Sequence, residues 1–372
     1  MAAQIKALCI TEDPDRPTTA TFVGLKNAGV DVTVICPPGE RRAWLEQNGV
    51  RVLDIALRKQ FDREAVRRLR AELTQGHYGI LHLFSNKALQ NGLVASRGLP
   101  VKIVAYRGIV GNVSFLSPVS WLRFLNPRID RIVCVADAVR DFFLQMRPKF
   151  LRVPRERLVT IYKGHSLEWY RAEPADLAAL GVPSDAFAIA CVANYRPRKG
   201  IEVLVDAFGK LAPAAHLLLI GGGMNAPALT RRIAASSAAD RIHVLGYRAD
   251  APALTAACDV FVLPSTKREG LARSLIEAMA YGVAPVVTAC GGSPELVVRG
   301  VSGLVVPVGD ADALATAIST LYQDPALRAR LGAAARERIG HDFRIEDTIA
   351  KTLALYASLV AEGSGVPAGR KI

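Results

Sequence analysis

The residues best suited to chemistry cluster between Val260 and Leu296, in the stretch VFVLPSTKREGLARSLIEAMAYGVAPVVTACGGSPEL. An apolar run ends at Leu263, and a polar loop then carries Ser265, Thr266, Lys267, Arg268 and Glu269. Helical periodicity opens at Gly270, Leu271 and Ala272. A helix start offers unpaired N–H groups and the positive end of a dipole, so it attracts an anion. Gly270 lets a ligand approach the backbone, and Lys267 and Arg273 add positive charge. A diphosphate suits such a place. Glu269 reads either as a cap of that helix or as a carboxylate facing the ligand. Glu277 sits two turns further on, inside an apolar run, where an ionised carboxylate needs a partner. The hydroxyl pair of a ribose would satisfy it.

The first half carries a second, looser set. Thr18 and Thr19 follow the first strand in TEDPDRPTTATF and either donate to a phosphate or cap a helix. His82, in ILHLFSN, ends a strand and is either structural or on the acceptor side. The segment SFLSPVSWLRFLNPRIDR (114–131) sets Phe115, Leu116, Trp121, Leu122, Phe124 and Leu125 among Arg123, Arg128 and Arg131. Aromatics interleaved with arginine suit a membrane interface or lipid-acceptor surface, the alternative being a loop packed into the core.

The elements that must position these residues alternate throughout. Strands are expected at 4–10, 30–36, 50–55, 80–84, 101–106 and 132–135, and again at 186–192, 216–220, 242–245, 260–263, 284–288 and 303–306. Helices are expected at 18–28, 40–48, 62–74 and 136–145, then at 199–211, 225–238, 252–257, 271–281, 293–299 and 311–322, with a last one at 344–361. Such alternation in 372 residues implies two doubly wound α/β domains, and ligands bind at the carboxyl ends of their strands. The expected division is 1–167 and 168–343, with a last helix at 344–361 and a disordered tail at 362–372.

Composition narrows the class. Hydrophobic residues make up 51% and charged residues 22%, an ordinary globular balance that excludes collagen, coiled coil and disorder as overall descriptions. The six cysteines have no CxxC or metal-ligand spacing and read as buried thiols. No run of 18 apolar residues or signal peptide is visible, which points to a cytoplasmic protein. The net charge of +13 is uneven: residues 1–170 hold 26 Lys and Arg against 15 Asp and Glu, and the remainder 21 against 19. The first domain is therefore expected to meet something anionic.

The block from Glu269 to Glu277, an E-x7-E within LPSTKREGLARSLIEAMAYGVAPVV followed by CGGSPELV, resembles the signature of the family-4 retaining glycosyltransferases. The likeness is strong over 186–306 and continuous over 30–164. It implies the GT-B fold, with an active site between an acceptor domain at 1–167 and a nucleotide domain at 168–343, and with the helix at 344–361 returning to the first domain. It also implies a nucleoside-diphosphate sugar donor, retention of anomeric configuration and no metal or other cofactor. In that pattern Lys199 is the phosphate-binding lysine. Asn194 stands where the family usually has Arg, leaving the second phosphate contact to Arg196 or Arg198. LLLIGGG (217–223) and VLGYRAD (244–250) resemble nucleotide-domain turns, which would lay Tyr247 and Arg248 beside the base. Arg107, in IVAYRGIVGN, is the nearest equivalent of a family histidine near the transferred sugar. Catalytic roles thus fall to Glu269, Lys199 and Arg107, and donor contacts to Arg196, Asn194, Tyr247, Arg248, Gly270, Leu271, Ala272, Arg273 and Glu277. The acceptor side falls to His82, Thr18, Thr19, Trp121 and Arg123.

The expected reaction moves a hexose, from a UDP-sugar ahead of a GDP-sugar, to a cell-envelope glycan or lipid-linked acceptor, with peripheral contact to an anionic membrane. A soluble acidic acceptor and a sugar-nucleotide epimerase of the same fold are the alternatives. A nicotinamide-dependent oxidoreductase is disfavoured because Gly221–Gly223 lacks the G-x-G-x-x-G spacing, and a nucleic-acid partner because no such module is apparent.

Overall fold

The computed structural model describes residues 4–148 and 150–364. Two compact units divide the chain: the residues up to Gly164 together with those from Ile345 onward, and His165–Arg344.

The first unit is a seven-stranded parallel sheet of β1 (Lys6–Ile10), β2 (Asp31–Ile35), β3 (Arg51–Leu53), β4 (Ile80–Leu83), β5 (Lys102–Arg107), β6 (Arg131–Cys134) and β7 (Leu158–Thr160), in the order β3-β2-β1-β4-β5-β6-β7. Its central strands are short apolar runs because helices cover both faces. The helices are α1 (Arg16–Asn27), α2 (Glu40–Gln47), α3 (Arg63–Gly76), α4 (Asn86–Ala95), α5 (Pro118–Trp121) and α6 (Asp137–Leu144). The last helix, Ile345–Ser364, packs on α1. Gly24 faces that helix, where a Cβ would stand 2.2 Å from Ile349 Cδ1.

The second unit is a six-stranded parallel sheet of β8 (Phe187–Val192), β9 (Ala215–Ile220), β10 (Ile242–Gly246), β11 (Val260–Leu263), β12 (Ala284–Thr288) and β13 (Leu304–Val306), ordered β10-β9-β8-β11-β12-β13. Around it lie α7 (Ile201–Phe208), α8 (Pro227–Ala234), α9 (Ala251–Ala256), α10 (Arg273–Ala280), α11 (Ser293–Leu296), α12 (Ala311–Gln323) and α13 (Pro325–Asp342). The strand order reverses between β8 and β11, so the loops leaving those two strands flank the crevice where doubly wound sheets take ligands.

The sequence reading passes over β7, α4, α5 and α13. β7 is three residues long, too short to display a period. α13 buries Leu331, Gly332, Ala335 and Ile339, a seam of small residues that hydropathy barely registers. Gly332 there lies against the Gly282 carbonyl, 2.0 Å from where a Cβ would stand. The helix expected from Leu271 opens at Arg273, so Gly270, Leu271 and Ala272 are irregular backbone ahead of it. The last helix runs three residues beyond the expected end at 361, and the tail from 365 onward lies outside the described residues.

Candidate active site

In the second unit, two loops at the switch point converge on one carboxylate. β8 leads through Asn194 and Tyr195 to a short 3₁₀ turn, Pro197–Lys199. Gly200 follows at φ 65°, and a Cβ there would stand 2.1 Å from the carbonyl oxygen of Pro264. Only glycine lets the turn press that closely on the end of β11. The approach is sealed by Thr266 N–H donating to Arg198 O at 2.8 Å. It brings Lys199 Nζ to Glu269 Oε2 at 2.7 Å, with side-chain exposures of 14% and 8%. Ser265 Oγ donates to the same oxygen at 2.5 Å.

Glu269 is also gripped through its backbone. Gly291, at φ 53°, lies where a Cβ would stand 2.0 Å from Glu269 O, and Gly292 N–H donates to that oxygen at 3.4 Å. Arg268, immediately before, holds φ 62°, a left-handed conformation uncommon for a non-glycine residue. The loop is thus over-determined around Glu269. Just past it, the N–H groups of Gly270, Leu271 and Arg273 find no hydrogen-bond acceptor among the described residues. Gly270 is buried, so its unpaired donor is costly unless a ligand takes it.

Lysine carries three donors, so Lys199 can hold Glu269 and still offer protons to an anion. Arg196, Lys267 and Arg273 stand exposed around the same loops. Glu277 is partly buried, with Arg273 Nε 3.5 Å from its carboxylate. Asn194, in place of the usual arginine, accepts from Gly222 N–H at 2.9 Å and so closes the turn after β9. Gly221 N–H reaches Gly246 O at 2.7 Å, tying that turn to the one after β10. There Tyr247 is 79% exposed, and Arg248 makes a bidentate pair with Asp250 at 2.7 and 2.5 Å. Sequence reasoning missed Ser265 and the grip of Gly291 and Gly292. The serine lies four residues before Glu269, and only the folded loop shows that they touch.

In the first unit most of the chosen residues make contacts within the unit, though His82 Nε2 is buried with no hydrogen-bond partner among the described residues and Trp121 stays exposed. Asp15 caps α1 by accepting from Thr18 N–H at 3.1 Å, so the helix begins before the two threonines and neither caps it. Thr18 and Thr19 are buried, and Thr19 Oγ1 donates back to Arg16 O at 3.0 Å. Lys163 Nζ meets the same aspartate at 2.8 Å. Burial works to raise the Asp15 carboxyl, but the charge and hydrogen bond of Lys163 and the Thr18 N–H hold it below the ordinary value.

His82 lies inside the unit at 3% exposure, its Nδ1 2.7 Å from the hydroxyl of Tyr356 on the last helix. Burial pushes its pKa down to about 3. Arg107 is 5% exposed. Its guanidinium bonds Ile109 O at 3.0 Å and Gly111 O, and lies 4.7 Å from the Phe124 ring centroid. These are the contacts of a loop brace. Trp121 is 42% exposed with Nε1 donating to Phe115 O at 2.9 Å, and Arg123 bonds Gln60 and Gln90.

Two parallel doubly wound units with a polar cluster at the switch point of the second define a GT-B glycosyltransferase architecture. An Anabaena protein solved in complex with UDP and glucose has this fold at TM-score 0.78 and 23% identity, covering 95% of this chain and 100% of that one. Sucrose-phosphate synthase from Thermosynechococcus elongatus matches at TM-score 0.75 and 21% identity, covering 96% and 100%.

Residues 173–338 match the family model for glycosyl transferases group 1, and residues 16–164 match the glycosyl transferase 4-like domain. The alpha-maltose-1-phosphate synthase of Mycolicibacterium smegmatis is 31% identical over 65% of this chain and 67% of its own length. A lipopolysaccharide core biosynthesis glycosyltransferase of Rhizobium meliloti is 32% identical over 50% of this chain and 55% of its own, so the match spans about half of that relative. The chain belongs to the group 1 glycosyl transferases, with a 4-like N-terminal domain.

Proposed function

We propose that the protein transfers a hexose, with retention of configuration and without a metal, from a nucleoside-diphosphate sugar to a cell-envelope glycan or lipid-linked acceptor. One observation carries the reading: Lys199, Glu269 and Ser265 converge beside the unpaired N–H groups of Gly270, Leu271 and Arg273. That is an anion site with a fixed carboxylate at its edge. The diphosphate lies on the N–H groups and Lys199, with Arg196 as the further cation, so its charge is met by protein donors. Glu269 faces the sugar, where positive charge develops as the glycosidic bond lengthens. A phosphate oxygen of the leaving group takes the acceptor proton on the same face. Glu277 accepts from the ribose hydroxyls, and the exposed Tyr247 ring gives the base a surface to stack on.

UDP is the first nucleotide to test. The Anabaena structure with UDP and glucose supports that choice, and the Rhizobium meliloti relative supports the envelope acceptor. The acceptor is assigned to the first unit and the donor to the second, with the protein on the cytoplasmic side.

Thermal-shift screening of UDP-, GDP- and ADP-hexoses with excess EDTA, followed by NMR of the product anomer, tests the whole reading. Stabilisation by one donor and an unchanged anomer in EDTA are expected. An inverted product or activity restored only by a divalent cation refutes the corresponding part.

A further inference from the structure

The exposed large apolar residues of the first unit, Val94 aside, gather on three neighbouring segments. Leu116 is 84% exposed, and Val119, Trp121 and Leu122 stand exposed within the next six positions. Leu144 and Phe150, the latter 84% exposed, form a second group, and Phe61 stands exposed on a third loop. The three segments share one support. Beneath the first two, the buried rings of Phe124 and Phe143 lie 6.2 Å apart, and Arg157 Nη2 donates to Asn126 O at 2.6 Å. Gln60, next to Phe61, accepts from Arg123 Nη2 at 3.0 Å. Right-handed crossovers along β4-β5-β6-β7 place α4, α5 and α6 on one face of the sheet. The last helix packs with α1, whose crossover from β1 to β2 runs the other way and so covers the opposite face.

The charge of the chain concentrates here. Residues 97–163 hold 13 Lys and Arg against 4 Asp and Glu. Three of those acids are already engaged: Asp130 accepts from Ile103 N–H at 2.8 Å, and Asp137 and Asp141 bind Arg140. Arg147, Arg152 and Arg155 are exposed around Phe150, and Arg58 and Lys59 beside Phe61. An apolar patch alone would suit many partners. One rimmed by cations, with a tryptophan fixed by its own hydrogen bond, matches a surface with anionic heads above an apolar layer.

We propose that this face docks on an anionic lipid bilayer. Leu116, Trp121, Leu122 and Phe150 enter the boundary between headgroups and chains, and Arg58, Lys59, Arg147 and Arg152 lie against lipid phosphates. The docking stands apart from the transferase reading, because its test contains neither donor nor acceptor.

The full chain is sedimented with vesicles of phosphatidylcholine alone or with a quarter phosphatidylglycerol, at low and high salt. Binding to the anionic vesicles at low salt is expected, with at least a tenfold loss at high salt and little binding to the neutral vesicles. The L116S/L122S/F150S variant alters exposed side chains only, so it should melt like the wild type and bind at least tenfold more weakly. The charge variant R147E/R152E should lose about fivefold or more for each position changed. No binding to anionic vesicles at low salt overturns the proposal, as does undiminished binding by both variants. A wild-type dimer that L116S/L122S/F150S converts to monomer with lipid binding unchanged also overturns it, and assigns the face to a second copy of this chain.

Discussion

The two units are built on the same plan and use the ends of their strands differently. In the second, the loops after β8 and β11 leave donors open: Lys199 has capacity beyond Glu269, and three backbone N–H groups have no acceptor among the described residues. In the first, the polar residues after the strands bond mostly within their own unit, although His82 Nε2 is buried with no hydrogen-bond partner among the described residues. Arg107 binds the carbonyls of Ile109 and Gly111, Asp15 binds Lys163 and caps α1, and His82 binds Tyr356. A doubly wound domain can therefore spend the same residue types on a ligand or on itself. What separates the cases is how much of the groups' hydrogen-bond capacity is already filled.

The largest expected effect falls on the open cluster. Lys199→Ala removes the cation from a buried carboxylate and from the anion site together. Transfer should fall by about two orders of magnitude, and stability by roughly 3 kcal/mol. Unchanged kinetics in the folded variant would remove Lys199 from the site and erase the contrast between the units.

Arg107→Ala sharpens the comparison from the other side. If the guanidinium is a brace, its loss leaves two carbonyls and a ring without their partner, and the chain should lose about 2 kcal/mol. Donor KM should not move. A variant as stable as wild type but poor in kcat would return Arg107 to the chemistry.

A smaller effect separates the two glutamates. Glu277→Ala should raise donor KM about tenfold through lost ribose contacts, whereas Glu269→Ala should act mainly on kcat. Steady-state kinetics with the identified donor decide it, and equal effects confined to KM would contradict the division.

A further effect concerns acid stability of the first unit. The unfolded chain binds a proton at His82 near pH 6.5, while the folded chain does so only near pH 3. Between those values the unfolded state holds more protons. Stability should therefore fall as pH drops below about 6.5, by up to about 1.4 kcal/mol per pH unit from this group. Asp15 adds to the loss lower down: its depressed carboxyl stabilises the fold above the unfolded value near 4, and that contribution disappears as pH falls through the folded value. Melting curves from pH 7 to 4.5 should be steeper for wild type than for His82→Gln. Equal slopes would show that His82 is not the buried neutral group described.

Some of this protein was readable before folding. The alternation of strands and helices is legible because buried parallel strands are short apolar runs, and the chain repeats that grammar in both halves. The stretch from Val260 to Leu296 displays its chemistry because the turn, the helix and both glutamates are neighbours in sequence. Lys199 could be singled out only through resemblance. Its partner lies 70 residues away, and the contact depends on Gly200 pressing against Pro264.

Tertiary structure decided what neighbouring residues could not. Arg107 reads like a ligand contact until its loop folds back and places two carbonyls and the Phe124 ring around it. His82 Nδ1 meets a tyrosine 274 residues away, and the Thr18 N–H meets an aspartate whose second partner, Lys163, lies 148 residues on. Residue type and spacing set what a side chain is able to bind. Whether that capacity is left open is a property of the packed molecule, because hydrogen bonds and burial are satisfied in space and not along the chain.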